Sequence, residues 1–247
     1  MRHIIAVSGG KDSAALALFM QARVTDVEYV FCDTGRELPE LYTFLDRLEQ
    51  ALGCEIVRIS DSDRVETNGK DAFSFWLEEF GYYIPTASAR WCTKTLKIRP
   101  FERYVGKDEA TIYLAIRADE NRTGNYGERK NIQYEYPFIA AGIDLKGVMT
   151  ILKEARIGLP DFYKWRTVGG CWCCPFQRTR DWQGLKRHHP DLFQKAKEEE
   201  ARAGHRWSAS GLSLAAIDAQ QELPLGPVEE RDLDEFEDAM PCLICAK

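Results

Sequence analysis

The first sixty residues alternate short apolar runs with amphipathic segments, and this alternation restricts the fold more than any other feature of the sequence. Apolar runs typical of buried strands cover residues 3–7, 27–32 and 55–59. Between them, residues 12–23 and 38–52 repeat apolar side chains at helical spacing. A β-α-β-α-β order predicts an α/β fold with a parallel, doubly wound sheet and right-handed crossovers.

The composition changes after about residue 160. Tryptophan, cysteine and basic residues dominate residues 161–189, and residues 222–238 are rich in acidic side chains. We therefore predict an α/β domain over 1–160. We predict a small, mainly helical, cysteine- and tryptophan-rich extension over 161–247, with an acidic tether and a terminal C-x-x-C pair. The same patterns predict a strand over 111–117 and helices over 147–155, 192–203 and 208–219.

A polar, glycine-containing loop lies between the first predicted strand and the first predicted helix. Its glycines let backbone N–H groups turn toward a ligand, and the following helix directs its positive end to the same place. The two hydroxyls add donors and the lysine adds a cation, so the loop predicts a site for phosphate oxygens. It is not a Walker A loop, which needs four residues between its first glycine and Gly-Lys-Ser/Thr. The loop residues are Ser8, Gly9, Gly10, Lys11, Asp12 and Ser13.

This loop resembles the PP-loop signature of the ATP pyrophosphatase superfamily, which has an adenine nucleotide α-hydrolase fold and cleaves ATP between its α and β phosphates. The resemblance implies that residues 8–13 hold the pyrophosphate end of ATP and that Asp12 assists Mg²⁺. At the end of the second strand, the turn Asp33, Thr34 and Gly35 is similar to the adenosine-side turn of that superfamily.

Three later blocks resemble the phosphoadenosine phosphosulfate (PAPS) reductase-like branch, which includes the PP-loop proteins of DNA phosphorothioation. They are R-W-C-T…L-K…P within 90–100, I-R-A-D-E at 116–120, and L-P…Y…G-C-x-x-C-P within 159–175. The similarity covers roughly residues 1–200. It implies that Arg117 acts in catalysis together with Lys11 and Asp12.

The eight cysteines allow two metal sites. One is a structural zinc ion held by the two C-x-x-C pairs, Cys171 with Cys174 and Cys242 with Cys245, and spacing alone favours it slightly. The other is a [4Fe–4S] cluster held by Cys92, Cys171 and Cys174, which the resemblance favours. Its fourth ligand is open, either absent or one of Cys173, Cys242 and Cys245.

Thiols without any metal are a third alternative. Arg90 and Lys94 flank Cys92 and predict a lowered thiol pKa there. We expect Cys32 and Cys54 to be small buried hydrophobic residues.

The resemblance implies an enzyme that uses ATP to adenylate an acceptor, releases pyrophosphate, and transfers sulfur with the help of an iron–sulfur centre. The acceptor is a nucleic acid or a small metabolite, and a cysteine desulfurase is an expected type of sulfur donor. Two alternatives stay open: a PAPS or adenosine phosphosulfate reductase that releases sulfite, and a non-catalytic nucleotide-binding subunit of a modification or defence complex.

The formal net charge of −6 excludes a generally polycationic nucleic-acid binder but leaves room for a local basic groove. Two basic stretches contain aromatic residues and suit either such a groove or a phosphate site. No apolar run approaches the roughly 18–20 residues of a membrane span. The apolar start is too short for the core of a signal peptide. We expect a cytoplasmic protein with no membrane partner.

Overall fold

A five-stranded parallel sheet forms the centre of the computed structural model, which describes residues 1–63, 69–121, 129–207 and 211–220. All paired strands run in the same direction, so the predicted parallel α/β sheet is confirmed. The strands are β1 (Arg2–Val7), β2 (Val27–Asp33), β3 (Val57–Ser60), β4 (Ala110–Tyr113) and β5 (Ile132–Glu135).

The strand order is β3-β2-β1-β4-β5, which places β1 at the point where the chain changes direction across the sheet. From β1 the chain builds outward through β2 to β3, and it then crosses to the other side of β1 to form β4 and β5. Loops that follow strands on either side of such a reversal diverge and leave a crevice at the carboxyl edge of the sheet. The loop of residues 8–13 follows β1 and therefore lies at this crevice.

Helices cover both faces of the sheet. A π-helical segment (Lys94–Ile98) joins α4 to α5 and makes one continuous helical stretch. The helices of the described residues are α1 (Lys11–Gln21), α2 (Pro39–Leu52), α3 (Ala72–Glu79), α4 (Trp91–Thr93), α5 (Arg99–Val105), α6 (Pro137–Ala141), α7 (Leu145–Glu154), α8 (Thr179–His188), α9 (Pro190–Ala203) and α10 (Leu214–Ala219).

Two predicted elements are shorter in the structure. The strand expected over 111–117 ends at Tyr113, because its neighbour β5 stops just before Pro137 begins α6. Leu114 and Ile116 are buried beyond the strand end, which explains why the apolar pattern continues. The helix expected over 208–219 begins at Leu214, and residues 208–210 lie outside the described residues, as do the predicted tether and the terminal Cys242 and Cys245.

The cysteine- and tryptophan-rich part packs into the same hydrophobic core as α1 and α2. Trp165, Trp172, Trp182 and Trp207 are all buried there. A second, smaller cluster covers the opposite face of the sheet. The proposed boundary at residue 160 stays a prediction. Among the described residues, no helix has both the length and the apolar character needed to cross a bilayer.

Candidate functional site

The loop after β1 is held in shape by its own hydroxyl groups. The Ser8 backbone N–H donates to Ser13 Oγ at 3.0 Å, and the two serine hydroxyls lie 3.0 Å apart. Ser13 Oγ is also 3.2 Å from the carbonyl oxygen of Gly10, the residue that precedes α1. Gly9 adopts φ +76°, a conformation that favours glycine. The loop is thus fixed before a ligand arrives, with the N-terminus of α1 behind it.

The three residues predicted to act in catalysis lie together. Lys11 is fully buried, and its Nζ lies 3.0 Å from Asp12 Oδ2. The other Asp12 oxygen lies 3.4 Å from Nη1 of Arg117, which is also buried. Arg117 further pairs with Asp119 at 3.0 Å and with Glu120 at 3.7 Å. The carboxylate of Asp12 is therefore held between two cations at the base of the loop.

The turn after β2 is organised around Glu37, which the sequence did not single out. Its carboxylate accepts hydrogen bonds from the Thr34 N–H at 3.1 Å and from Thr34 Oγ1 at 2.8 Å. Asp33 accepts from the Gly35 N–H at 2.8 Å and from the Tyr42 hydroxyl at 2.9 Å. Burial and the neighbouring Cys171 raise the pKa of Glu37 to about 8.

The cysteine-bearing segment runs antiparallel to the chain that follows this turn. The Leu38 N–H donates to the Gly170 carbonyl at 2.7 Å, and the Trp172 N–H donates to the Arg36 carbonyl at 2.9 Å. Glu37 and Cys171 form the bridge between these two bonds. The cysteine segment is therefore hydrogen-bonded to the chain just after the carboxyl end of β2.

Leu41 lies between the phosphate loop and the cysteine segment. A Cβ atom added at Gly9 would lie 2.7 Å from Leu41 Cγ, and one added at Gly170 would lie 2.1 Å from Leu41 Cδ1. Both glycines are thus in contact with the same side chain, so the two segments are separated by about the width of one leucine.

We expect Gly170→Ala to destabilise the protein by about 1–3 kcal/mol, because the new methyl group overlaps the buried side chain of Leu41. The additional substitution Leu41→Ala removes the overlap. We expect it to cost less in the Gly170→Ala background than in the wild type. Urea unfolding of the four proteins measures this coupling, and strictly additive free energies of unfolding would contradict the described packing.

A single cleft connects the two segments and holds about 1390 Å³ of empty space, its open mouth included. Five predicted residues, Gly9, Lys11, Asp33, Gly35 and Arg117, lie outside its wall. The predicted residues in the wall are Ser8, Gly10, Asp12, Ser13, Thr34, Cys92, Cys171, Cys173 and Cys174.

The cysteines of the cleft differ in acidity. The hydrogen bond with Cys173, whose Sγ is 3.7 Å away, lowers the pKa of Cys171 to about 6 against the effect of burial, and Lys97 contributes. Burial, reinforced by Cys171, raises the pKa of Cys174 to about 12. Burial and Cys171 likewise raise the pKa of Cys92 to about 11. The predicted lowering of the Cys92 pKa is therefore wrong, since burial outweighs the nearby cations.

The expectation for the two remaining described cysteines is wrong for Cys54 and holds in part for Cys32. Cys54 is exposed, because it follows the glycine that ends α2 and precedes the short edge strand β3. Cys32 is partly buried and packs against the second, smaller hydrophobic cluster, and burial raises its pKa to about 12. Its Sγ lies 3.5 Å from the Lys97 carbonyl oxygen.

Lys97 is the second residue of the site that sequence reasoning left without a role. Burial opposes its charge, but Glu37, Cys171 and Cys92 surround it and raise its pKa. The π-helical segment explains its position, since i→i+5 hydrogen bonds bring residues five apart nearer to one face, here Cys92 and Lys97. The sequence feature that could have pointed to Lys97 is its position in the R-W-C-T…L-K…P block within 90–100.

In the metal-free protein we expect iodoacetamide to alkylate Cys171 before Cys92 and Cys174 at pH 7. The thiolate is the reactive form, and of these three thiols Cys171 alone has a pKa below that pH. Cys173→Ala removes the hydrogen bond and should move the pH midpoint of Cys171 alkylation upward. Peptide mass mapping across a pH series measures both effects. Equal rates for the three thiols at pH 7 would refute the assignment.

The cysteine turn offers soft donors, but the described residues contain no group of three or more His, Cys, Asp or Glu already arranged around one metal ion. Thiolates around one zinc ion lie about 3.8 Å apart, from a Zn–S distance of about 2.3 Å. In a multi-iron cluster each thiolate binds a different iron, so the thiolates lie farther apart than they do around one zinc ion. Cys92, Cys171 and Cys174 line one cleft and lie close enough to shift one another's pKa.

Buried side chains fix the turn from behind. Arg166 Nη2 donates to the Cys171 carbonyl at 3.1 Å, and Gln177 Nε2 donates to the Trp172 and Cys174 carbonyls at 2.8 and 3.2 Å. Arg166 keeps two buried N–H groups, Nε and Nη1, without a hydrogen-bond partner. Buried donors of Arg166 without a partner, close to Cys171 and Cys174, fit an anionic sulfur centre at this turn.

Several proteins resemble this chain. Two uncharacterized proteins of Methanocaldococcus jannaschii are 26% identical over 225 residues and 25% identical over 205 residues. These matches cover 85% and 76% of this chain and 45% of each relative. An uncharacterized nin region protein of Escherichia phage lambda is 28% identical over 143 residues, covering 49% of each chain. The chain spans about half the length of the curated relatives it matches.

The fold has a counterpart among solved structures. The crystal structure of a phosphoadenylyl-sulfate (PAPS) reductase from Candida auris, in a phosphate complex, superposes with a TM-score of 0.53 at 13% identity. The match covers 70% of this chain and 82% of that one. The family model for the phosphoadenosine phosphosulfate reductase domain matches residues 2–136, more than half of the chain. The resemblance seen in the motifs is thereby confirmed, and the chain belongs to the phosphoadenosine phosphosulfate reductase domain family.

Proposed function

We propose that this protein uses ATP to adenylate an acceptor, releases pyrophosphate, and then lets sulfur displace AMP. One observation carries the proposal: a complete PP-loop and a cysteine turn form the two ends of one cleft, with a single leucine between them. Membership in the family supports a nucleotide-binding enzyme, and the assignment of ATP and of sulfur transfer is our inference from the cleft.

The phosphate end stabilises the charge that develops on the leaving pyrophosphate. Ser8, Gly10 and Ser13 form the wall there, and α1 begins directly behind them with no side-chain cap from Gly10. Preorganised donors and a helix N-terminus aimed at developing negative charge are the main contribution to phosphoryl-transfer catalysis.

The buried ions below the loop give Asp12 its orientation. Carboxylate oxygens are the protein ligands that Mg²⁺ prefers, and Asp12 lines the cleft while Lys11 and Arg117 hold it from behind. Lys11 is fully buried, so its charge acts through the base of the loop.

At the other end, Cys92, Cys171 and Cys174 would hold an iron–sulfur cluster. When bound, such a cluster supplies a site that carries or activates sulfur. Lys97 places a positive charge beside Cys171 and Cys92 and stabilises negatively charged sulfur there. The aromatic ring of Phe176 and the guanidinium of Arg90, 5.6 Å apart, border the same cleft and restrict entry of water.

The test is a pyrophosphate-release assay with anaerobically purified protein, ATP and Mg²⁺. DNA, RNA and a pool of small metabolites are supplied as separate acceptors, with sulfide as the sulfur source. The expected result is pyrophosphate release that requires one acceptor class. Thioredoxin-dependent sulfite release from PAPS or adenosine phosphosulfate, without pyrophosphate from ATP, would establish a reductase instead. Tight ATP binding without turnover in every arm would indicate a non-catalytic subunit.

A further inference from the structure

Arg166 is a buried arginine on the inner side of the cysteine turn. It is fully enclosed, and one of its nitrogens, Nη2, donates to the Cys171 carbonyl oxygen at 3.1 Å. Its Nε and Nη1 atoms have no hydrogen-bond partner. A guanidinium has five N–H donors in a rigid fork, so most of its hydrogen-bonding capacity is unused.

An enclosed guanidinium without an anion in contact is energetically costly. Burial lowers its pKa, and Asp181 is the carboxylate that acts on it from nearby. The oxygens of Asp181, however, accept from Thr167 N–H at 2.9 Å and from Arg178 N–H at 3.0 Å, as part of the start of α8. The other groups near enough to raise the pKa of Arg166 when they are ionised are the thiols of Cys174 and Cys171 and the hydroxyl of Tyr163.

We propose that Arg166 is a positioning residue for an anionic sulfur centre, and that its two unused nitrogens, Nε and Nη1, donate to the thiolate sulfurs of Cys171 and Cys174. The inference rests on the cysteine-held cluster of the proposed function and not on the ATP step. A nucleotide phosphate does not satisfy these donors, because Arg166 lies outside the wall of the cleft and behind the turn.

Two measurable consequences follow. Hydrogen bonds and positive charge near cluster sulfur stabilise the reduced form, which carries more negative charge, so Arg166 should raise the reduction potential. The same contacts secure the ligands. Replacement of a residue that supports metal ligands typically lowers metal affinity by about 10–100-fold.

The experiment compares the full-length wild type with Arg166→Gln, Arg166→Lys and the control Lys164→Gln after anaerobic reconstitution with iron and sulfide. Lys164 lies in the same segment, but its side chain is 78% exposed. We expect Arg166→Gln to lose iron at a chelator concentration about 10–100-fold lower than the wild type. Its retained cluster should have a more negative midpoint potential in an EPR-monitored titration. Arg166→Lys, which keeps the charge, should lie between the two, and Lys164→Gln should match the wild type.

Circular dichroism and thermal unfolding of the metal-free proteins show whether Arg166→Gln folds. If Arg166→Gln does not fold, the test rests on Arg166→Lys. A midpoint potential and a chelator resistance of Arg166→Lys equal to those of the wild type would then overturn the proposal. Equal values for a folded Arg166→Gln would do the same. A wild type that binds no iron would overturn both this inference and the cluster. Pyrophosphate release from ATP is measured separately, so its absence in a cluster-bearing protein would refute the proposed function and leave the inference intact.

Discussion

The double variant Lys11→Ala/Asp12→Ala should lose pyrophosphate release by about 10³-fold or more while the fold survives. In the proposed reaction Asp12 orients Mg²⁺ and Lys11 supplies a positive charge beneath the loop, and both act on charge that develops during phosphoryl transfer. The variant removes both groups. Removal of both members of the Lys11–Asp12 pair leaves no new unpaired charge between them, and Arg117 keeps Asp119 and Glu120. A coupled pyrophosphate assay and thermal unfolding measure the two effects.

A matched control is the removal of a different ion pair, Asp46→Ala/Arg58→Ala. That pair is exposed, with a distance of 2.8 Å, and we expect it to change stability by less than about 1 kcal/mol and to leave the activity unchanged. Pyrophosphate release at the wild-type rate in the Lys11→Ala/Asp12→Ala protein would remove the loop from the reaction.

The second large effect is expected from Cys174→Ser, which should abolish the absorbance at about 400 nm of thiolate-bound iron–sulfur and remove most of the bound iron. Cys174 is one of the three thiols that line the cleft and interact electrostatically. Visible spectra and iron analysis after anaerobic purification measure the loss. Cys54→Ser, at an exposed cysteine of the loop before β3, is the control and should keep the colour.

The same measurement on Cys173→Ser tests the fourth ligand. Loss of the cluster would include Cys173 in the ligand set, and retention would leave Cys242, Cys245 or an open iron. A Cys174→Ser protein with full colour would instead exclude Cys174 as a ligand. Zinc in place of iron in the wild type would favour the structural-zinc alternative.

Much of the fold could be predicted because local patterns and global arrangement agree in the first sixty residues. The short apolar runs and the helical spacings there correspond to β1, α1, β2, α2 and β3. By contrast, β5 (Ile132–Glu135) was missed because it is a four-residue edge strand with half of its residues exposed. No helix was predicted over residues 91–105, where α4, the π-helical segment and α5 lie. Nothing in a single sequence would distinguish the π-helical segment from an ordinary helix.

The site could be predicted in part for a related reason. The loop of residues 8–13 is contiguous, so its chemistry is visible in the sequence. The acidity of Cys92 is not, because it depends on burial and on Cys171, which is distant in sequence. Glu37 and Lys97 also act through neighbours that only the fold brings together. The unused donors of Arg166 are visible only when every buried partner has been assigned.

The contact of Leu41 with Gly9 and Gly170 bears on which acceptor molecules the cleft can take. Leu41, a buried aliphatic residue on the helix that follows β2, sets the spacing between the loop of residues 8–13 and the cysteine segment. In the proposed reaction this spacing would determine how far the sulfur lies from the triphosphate. Because Leu41 is buried, this spacing does not depend on a bound ligand. In the proposed reaction it would lower the entropic cost of bringing the two reactants together. A shorter residue in place of Leu41 would change the distance between the two ends of the cleft. In the proposed reaction it would therefore change the length of acceptor that can reach both ends.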